Sequence, residues 1–165
     1  FKNDIQQVLD GGSCTNGIES TIIGFKNDEP IIYRLGALAL EDIEAVVGEV
    51  IIKNKKEESP DAPGMLDRHY APTTQTFLVD DIAEEIKKHS GKKIGILSFK
   101  KSLNDNSLTE IILSEKGSLQ EAASKLYTSL HELDSLNLDV IIAERFPEFG
   151  LGKSINDRLQ RATFS

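Results

Sequence analysis

Arg68, His69 and Tyr70 stand in a row inside the run Ser-Pro-Asp-Ala-Pro-Gly-Met-Leu-Asp-Arg-His-Tyr-Ala-Pro of residues 59–72. A cation, an imidazole and a phenol at consecutive positions can face a charged or hydrogen-bonding ligand. The imidazole can carry a proton near neutrality or donate one hydrogen bond as a neutral ring. Three prolines and a glycine keep this run out of helices and central strands and limit the conformations to be ordered. Met65 and Leu66 add apolar contacts that a solvated spacer does not need. The run reads as an ordered strap lying over a site. An interdomain linker whose Met and Tyr dock on a neighbouring domain accounts for the same residue types.

A second candidate is Gly150-Leu151-Gly152-Lys153-Ser154, which matches only the tail of a phosphate-binding loop because the first glycine is missing at the required distance. It can present backbone N–H groups to an anion at a helix start, but a glycine-rich turn entering the last helix, with Ser154 near its cap, is the favoured reading. Lys153, Arg158 and Arg161 outnumber Asp157 in that segment, which is expected to turn its charges to water. His89 and His131 stand alone in helical segments and are expected to face solvent. The single Cys14 excludes an internal disulfide and any cysteine-based zinc cluster and fits a reducing, cytoplasmic setting.

The composition permits a real core: 165 residues, 39% of them hydrophobic, allow one domain or two small ones. No apolar run approaches a membrane span, and the first residues do not form a signal peptide. Residues 1–72 hold 7 basic and 13 acidic side chains, a net of −6, and residues 73–165 hold 12 and 14, a net of −2. That acidity argues against broad electrostatic binding of nucleic acid, and direct RNA binding is left open.

The elements that position these groups fall into two rhythms. Residues 1–9 place Ile5, Val8 and Leu9 at helical spacing and stop at Asp10-Gly11-Gly12, so the chain is expected to open on a helix. Residues 20–25 and 31–34 read as a hairpin around a turn at 26–30. Residues 40–47 place Leu40, Ile43, Val46 and Val47 on one helical face, and 50–53 form a short strand. So few elements make a thin core, and residues 1–54 are expected to be the remnant of a larger domain whose earlier part is absent. Residues 55–74 are the Pro-rich linker or strap. From residue 75 the pattern is strand 76–79, helix 82–89, strand 93–98, strand 109–113, helix 119–133, strand 139–143 and helix 152–163. This is a small Rossmann-like α/β domain over residues 75–165 with a mostly parallel sheet covered on both faces.

Several motifs carry a family resemblance: Leu9-Asp10-Gly11-Gly12-Ser13-Cys14, Gly17-Ile18-Glu19-Ser20-Thr21-Ile22-Ile23, Ile32-Tyr33-Arg34-Leu35-Gly36, Ala62-Pro63-Gly64-Met65 and Arg68-His69-Tyr70-Ala71-Pro72. The closing set is Gly150-Leu151-Gly152, Asn156-Asp157-Arg158-Leu159 and Arg161-Ala162. In this order they resemble the C-terminal portion of long-form YrdC-like threonylcarbamoyl-AMP synthases, catalytic-domain remnant and Rossmann-like extension together. The resemblance implies a nucleotidyltransferase that combines ATP, bicarbonate and L-threonine into threonylcarbamoyl-adenylate, for threonylcarbamoyladenosine formation in transfer RNA. ATP is then a substrate, Mg²⁺ the expected accompanying ion, and other threonylcarbamoylation proteins are admitted as partners.

It also implies a binding set of Ser20, Thr21, Arg34, Arg68, His69 and Tyr70, with no catalytic nucleophile and no metal ligand. Hydroxyls at a strand start can donate to phosphate or carboxylate oxygens, and Arg34 can supply a planar fork. Strand-edge hydrogen bonds and a surface ion pair are the plain alternatives. Two positions depart from the family pattern. Leu35 stands where it has proline, restoring an N–H. Ala39 stands where threonine is common, losing an N-cap worth about 1 kcal/mol. The family's basic cluster for ATP lies further towards the N-terminus, so this chain alone is expected to be inactive. A non-catalytic nucleotide- or partner-binding regulatory module is the alternative reading.

Overall fold

The computed structural model describes residues 4–12, 14–53 and 71–163, in two sheets. The first is built on the hairpin of β1 (Ile22–Lys26) and β2 (Glu29–Arg34). Asn27 and Asp28 both adopt positive φ, 52° and 65°, which is what a two-residue primed turn demands and what short polar side chains tolerate. Helix α1 (Leu40–Val47) then crosses over to β3 (Ile51–Ile52), which pairs parallel with β2. As Ala39 implied, α1 starts with no side-chain cap, and Glu41 and Asp42 in its first turn supply the negative charge favoured there. Ile32, Leu35, Leu40 and Val50 form the small core of this unit. Val46 and Ile51, by contrast, are 84% and 50% exposed.

The second sheet has four strands, all parallel, in the order β4 (Thr76–Val79), β7 (Val140–Glu144), β5 (Ile94–Ser98), β6 (Thr109–Ile112). Helices α2 (Ile82–Lys88), α3 (Leu119–Asp134) and α4 (Leu151–Ala162) cover it. Alternation along the central strands assigns the faces. Leu97, Ile141 and Ala143 pack with residues of α3 and α4, whereas Ile94, Ile96, Val140 and Ile142 pack with Ile82 of α2. Asp81 and Ser118 cap α2 and α3 by accepting hydrogen bonds from the Glu84 and Glu121 N–H groups.

Three expectations fail. Residues 4–12 hold no helix, and Ile5, Val8 and Leu9 are 51%, 77% and 99% exposed: so short an amphipathic segment, with its apolar side left this open, has no source of helical stability. Helix α4 does not turn its charges to water, because Arg158 and Arg161 are buried. His89 is also buried, its ring tilted against Phe77 at 4.8 Å and its Nε2 3.1 Å from Glu85 Oε1, whereas His131 is exposed as expected.

Candidate functional site

Two segments of the first unit lie backbone against backbone, and Gly36 is the reason. A Cβ there would stand 2.4 Å from the Glu19 carbonyl oxygen and from the Thr21 nitrogen, so only glycine lets residues 34–38 close on residues 19–21. The Ala37 N–H donates to the Glu19 carbonyl at 2.9 Å, and the Leu38 N–H donates to Thr21 Oγ1 at 3.2 Å. This closure delivers Arg34 to Ser20. Arg34 Nε donates to the Ser20 carbonyl and Nη2 to Ser20 Oγ, each at 3.0 Å. The sequence-predicted Ser20, Thr21 and Arg34 are thereby brought together. A serine oxygen that accepts from a guanidinium keeps its own proton to donate, so the pair presents a hydroxyl polarised by a fixed cation. Thr21 is engaged as a backbone tie to Leu38.

The site is backed by α3 and α4. Glu19, half-buried beside Ser20, accepts from the Tyr127 hydroxyl through both carboxylate oxygens at 3.1 Å and from Arg158 Nε at 2.8 Å. Arg158 Nη2 donates at 2.7 Å to the carbonyl of Leu35, next to Arg34, and its Nη1 pairs with Asp157. Burial works against ionising Glu19, but the hydrogen bond and charge of Arg158 and the tyrosine hydroxyl hold its carboxyl below the ordinary range. Burial and the adjacent carboxylate push the Tyr127 hydroxyl up, against the opposing charge of Arg158. The sequence reading took Arg158 as a solvated charge within the closing motif and did not single out Tyr127. The signal was the recurrence of Ser154, Arg158 and Arg161 at i, i+4 and i+7, alongside the apolar stripe Leu151, Ile155, Leu159 and Ala162.

The Gly150–Ser154 turn also faces this junction. Gly150, at φ 52°, caps α4, and its N–H donates to Glu41 Oε2 at 3.2 Å, while Lys153 Nζ lies 2.7 Å from Glu41 Oε1. The anion at this helix start is thus the chain's own carboxylate, held below its ordinary pKa chiefly by Lys153. Ser154 is no cap: it is buried one turn in and donates to the Gly36 carbonyl at 2.8 Å.

Arg68, His69 and Tyr70 lie outside the described residues. The chain re-enters them at Ala71 and Pro72, which border a cavity of about 460 Å³ with Tyr127, Thr128, Leu130, His131 and Asp134. Asp134 fixes this re-entry by accepting the Thr73 and Thr74 N–H groups at 3.0 and 2.8 Å. Tyr127 therefore lines the cavity beside Ala71 and Pro72 and also donates to Glu19. Among the described residues no group of three or more His, Cys, Asp or Glu side chains is gathered to hold a metal ion, and no helix is long and apolar enough to cross a membrane.

Residues 38–163 match the family described as "Threonylcarbamoyl-AMP synthase, C-terminal domain". Threonylcarbamoyl-AMP synthase of Pyrococcus abyssi is 32% identical over 177 aligned positions, covering 99% of this chain and 51% of the relative. That of Bacillus subtilis is 32% identical over 168, covering 96% and 49%. The crystal structure of P. abyssi Sua5 complexed with L-threonine superposes with a TM-score of 0.84 at 33% identity, over 99% of this chain and 51% of that one. A P. abyssi Sua5 structure with a neighbouring histidine and tyrosine both replaced by alanine gives 0.83 at 30% identity, over 99% and 50%. The chain spans about half the length of the curated relatives it matches.

Proposed function

The chain belongs to the threonylcarbamoyl-AMP synthase C-terminal-domain family, and on that premise we propose that it is the C-terminal half of a threonylcarbamoyl-AMP synthase. The whole enzyme combines ATP, bicarbonate and L-threonine into threonylcarbamoyl-adenylate with release of pyrophosphate, supplying threonylcarbamoyladenosine formation in transfer RNA in the cytoplasm. In this reading residues 1–54 complete the catalytic domain, 55–74 form the strap and 75–165 are the extension. The exposed apolar side chains of the first unit, among them Ile23, Phe25, Val46 and Ile51, are the surface that an upstream half would cover.

The observation that carries the reading is the Arg34–Ser20 fork, fixed by the closure at Gly36. Nucleotidyl transfer needs oriented substrates and stabilised charge more than a covalent nucleophile. A polarised hydroxyl and a half-exposed guanidinium offer that to a phosphate or to the threonine carboxylate. Mg²⁺ is expected to accompany ATP, held mainly by its phosphates and by water. His69 and Tyr70, the only His-Tyr pair in the chain, match in type the neighbouring pair replaced in one P. abyssi Sua5 structure. Closing the strap would exclude water from a hydrolysable mixed anhydride.

The test is pyrophosphate release dependent on both threonine and bicarbonate. A protein extended to the relatives' full length is expected to show it, and the present chain is not. Arg34→Lys, which keeps the charge and loses the fork, is expected to fall well below wild type while remaining folded. Wild-type kinetics for both Arg34→Lys and Arg34→Ala would reduce Arg34 to a surface arginine. If replacing residues 65–70 by Gly and Ser leaves turnover and intermediate lifetime unchanged, the strap is a tether. A second reading, a nucleotide- or partner-binding module, is favoured by a cavity of about 850 Å³ bordered by Lys87, Lys92 and Lys93 in the second unit. Ligand binding by the full-length protein without pyrophosphate release would support it.

A further inference from the structure

We propose that Arg158 is a positioning residue for the Ser20–Arg34 site, holding through the Glu19 carboxylate and the Leu35 carbonyl the two segments from which the site is built. The proposal rests on the assignment of Ser20, Thr21 and Arg34 to substrate binding.

The geometry is economical. Glu19 directly precedes Ser20, and Leu35 directly follows Arg34. The planar guanidinium of Arg158 reaches both, with Nε 2.8 Å from Glu19 Oε2 and Nη2 2.7 Å from the Leu35 carbonyl. Its side chain is 4% exposed, so the contacts are sheltered from competing water. Tyr127 fixes the carboxylate by donating to it as well, and Asp157 pairs with the guanidinium through Nη1. Losing the guanidinium would therefore release Ser20 and Arg34 from this shared tie.

Stability alone gives little reason for this arrangement, because a buried ion pair is often matched or bettered by well-packed apolar side chains of the same volume. Fixing two backbone segments at defined separation does give a reason. Misplacing substrate-orienting groups by about 1 Å can cost on the order of a hundredfold in rate. Lysine cannot substitute, since one ammonium at the end of a flexible stem lacks the fork that meets both acceptors. Helix α4 supplies its own control: Lys153 also ties it to the first unit, but through Glu41 at 2.7 Å.

The experiment compares Arg158→Lys, Tyr127→Phe and Lys153→Ala in the full-length enzyme, measuring kcat, KM for ATP and for threonine, and Tm. Arg158→Lys is expected to lower kcat/KM by about tenfold or more at temperatures where the protein is folded, with KM raised for the substrate that Ser20 and Arg34 contact. Tyr127→Phe, a milder change that keeps the ring, is expected to move the same constants in the same direction by about two- to threefold, and carries the test if Arg158→Lys fails to fold. Lys153→Ala is expected to shift Tm alone. Wild-type kinetics in folded Arg158→Lys, or in Tyr127→Phe should Arg158→Lys not fold, overturns the proposal. So does an equal loss of activity in Lys153→Ala, which would make any tie between α4 and the first unit equivalent. Absence of threonine-dependent pyrophosphate release in the wild type would instead overturn the assignment of the site, and the proposal with it.

Discussion

The hydroxyl of Ser154 donates a buried hydrogen bond of 2.8 Å to the carbonyl of Gly36, joining the first turn of the last helix to the glycine that closes the Ser20–Arg34 pair. Both groups are sealed from solvent, so removing the donor leaves a carbonyl without its partner.

Ser154→Ala is accordingly expected to destabilise by about 1–3 kcal/mol. In a chain of this size each kcal/mol lowers Tm by about 2–4 °C. Thermal denaturation checks it, and an unchanged Tm would mean that the Gly36 carbonyl has found water.

Glycine replacements should separate by position. Gly36→Ala drives a Cβ to 2.4 Å from the Glu19 carbonyl, and Gly152→Ala drives one to 1.9 Å from the Pro147 carbonyl, backbone against backbone in both cases. Each is expected to cost about 1–3 kcal/mol or more. Gly11→Ala, with nothing within 4 Å of the added Cβ, is expected to leave Tm unchanged. Denaturant midpoints of the three variants decide this, and equal midpoints would refute the close approaches.

Acid should loosen the junction between the two units. Glu19 sits below its ordinary value of 4.5 because Arg158 and Tyr127 outweigh its burial, and Glu41 lies low in the same way beside Lys153. A folded pKa below the unfolded one means that the unfolded chain binds the proton first as pH falls. The stabilisation is complete above about pH 4.5 and is lost as pH drops through the lower folded value. Glu19→Gln is expected to melt below wild type at pH 7, and the gap should narrow as the pH is taken below 4. A gap of constant size would show that the carboxylate charge is not the linked group.

The second sheet was legible because its strands and helices differ in period: 94–97 and 140–143 are apolar throughout, as strands buried on both faces must be, and α3 repeats at helical spacing. The hairpin was legible from the turn-forming run at 26–30, although the turn itself takes only Asn27 and Asp28. What failed, failed on tertiary grounds. The opening segment has helical spacing, but spacing confers no stability without a surface to cover. Arg158 and Arg161 were read as solvated because charge along a helix usually is, and their burial depends on Glu19, Leu35 and Asp157, two of them over a hundred residues distant. Ser20, Thr21 and Arg34 could be picked out individually by resemblance. That Gly36 is what presses their segments together belongs to backbone geometry, which residue types do not display.

The placement of β7 between β4 and β5 sets an order of events during synthesis. As residues 76–98 leave the ribosome, β4 and β5 have no partner in one another, since the strand that joins them is made more than forty residues later. Until residues 140–144 emerge, those apolar strands present open edges to whatever is nearby. The nascent protein is therefore most exposed to wrong pairing between the emergence of β5 and that of β7. A ribosomal pause in that interval would lengthen the danger, and one after residues 140–144 have emerged would not.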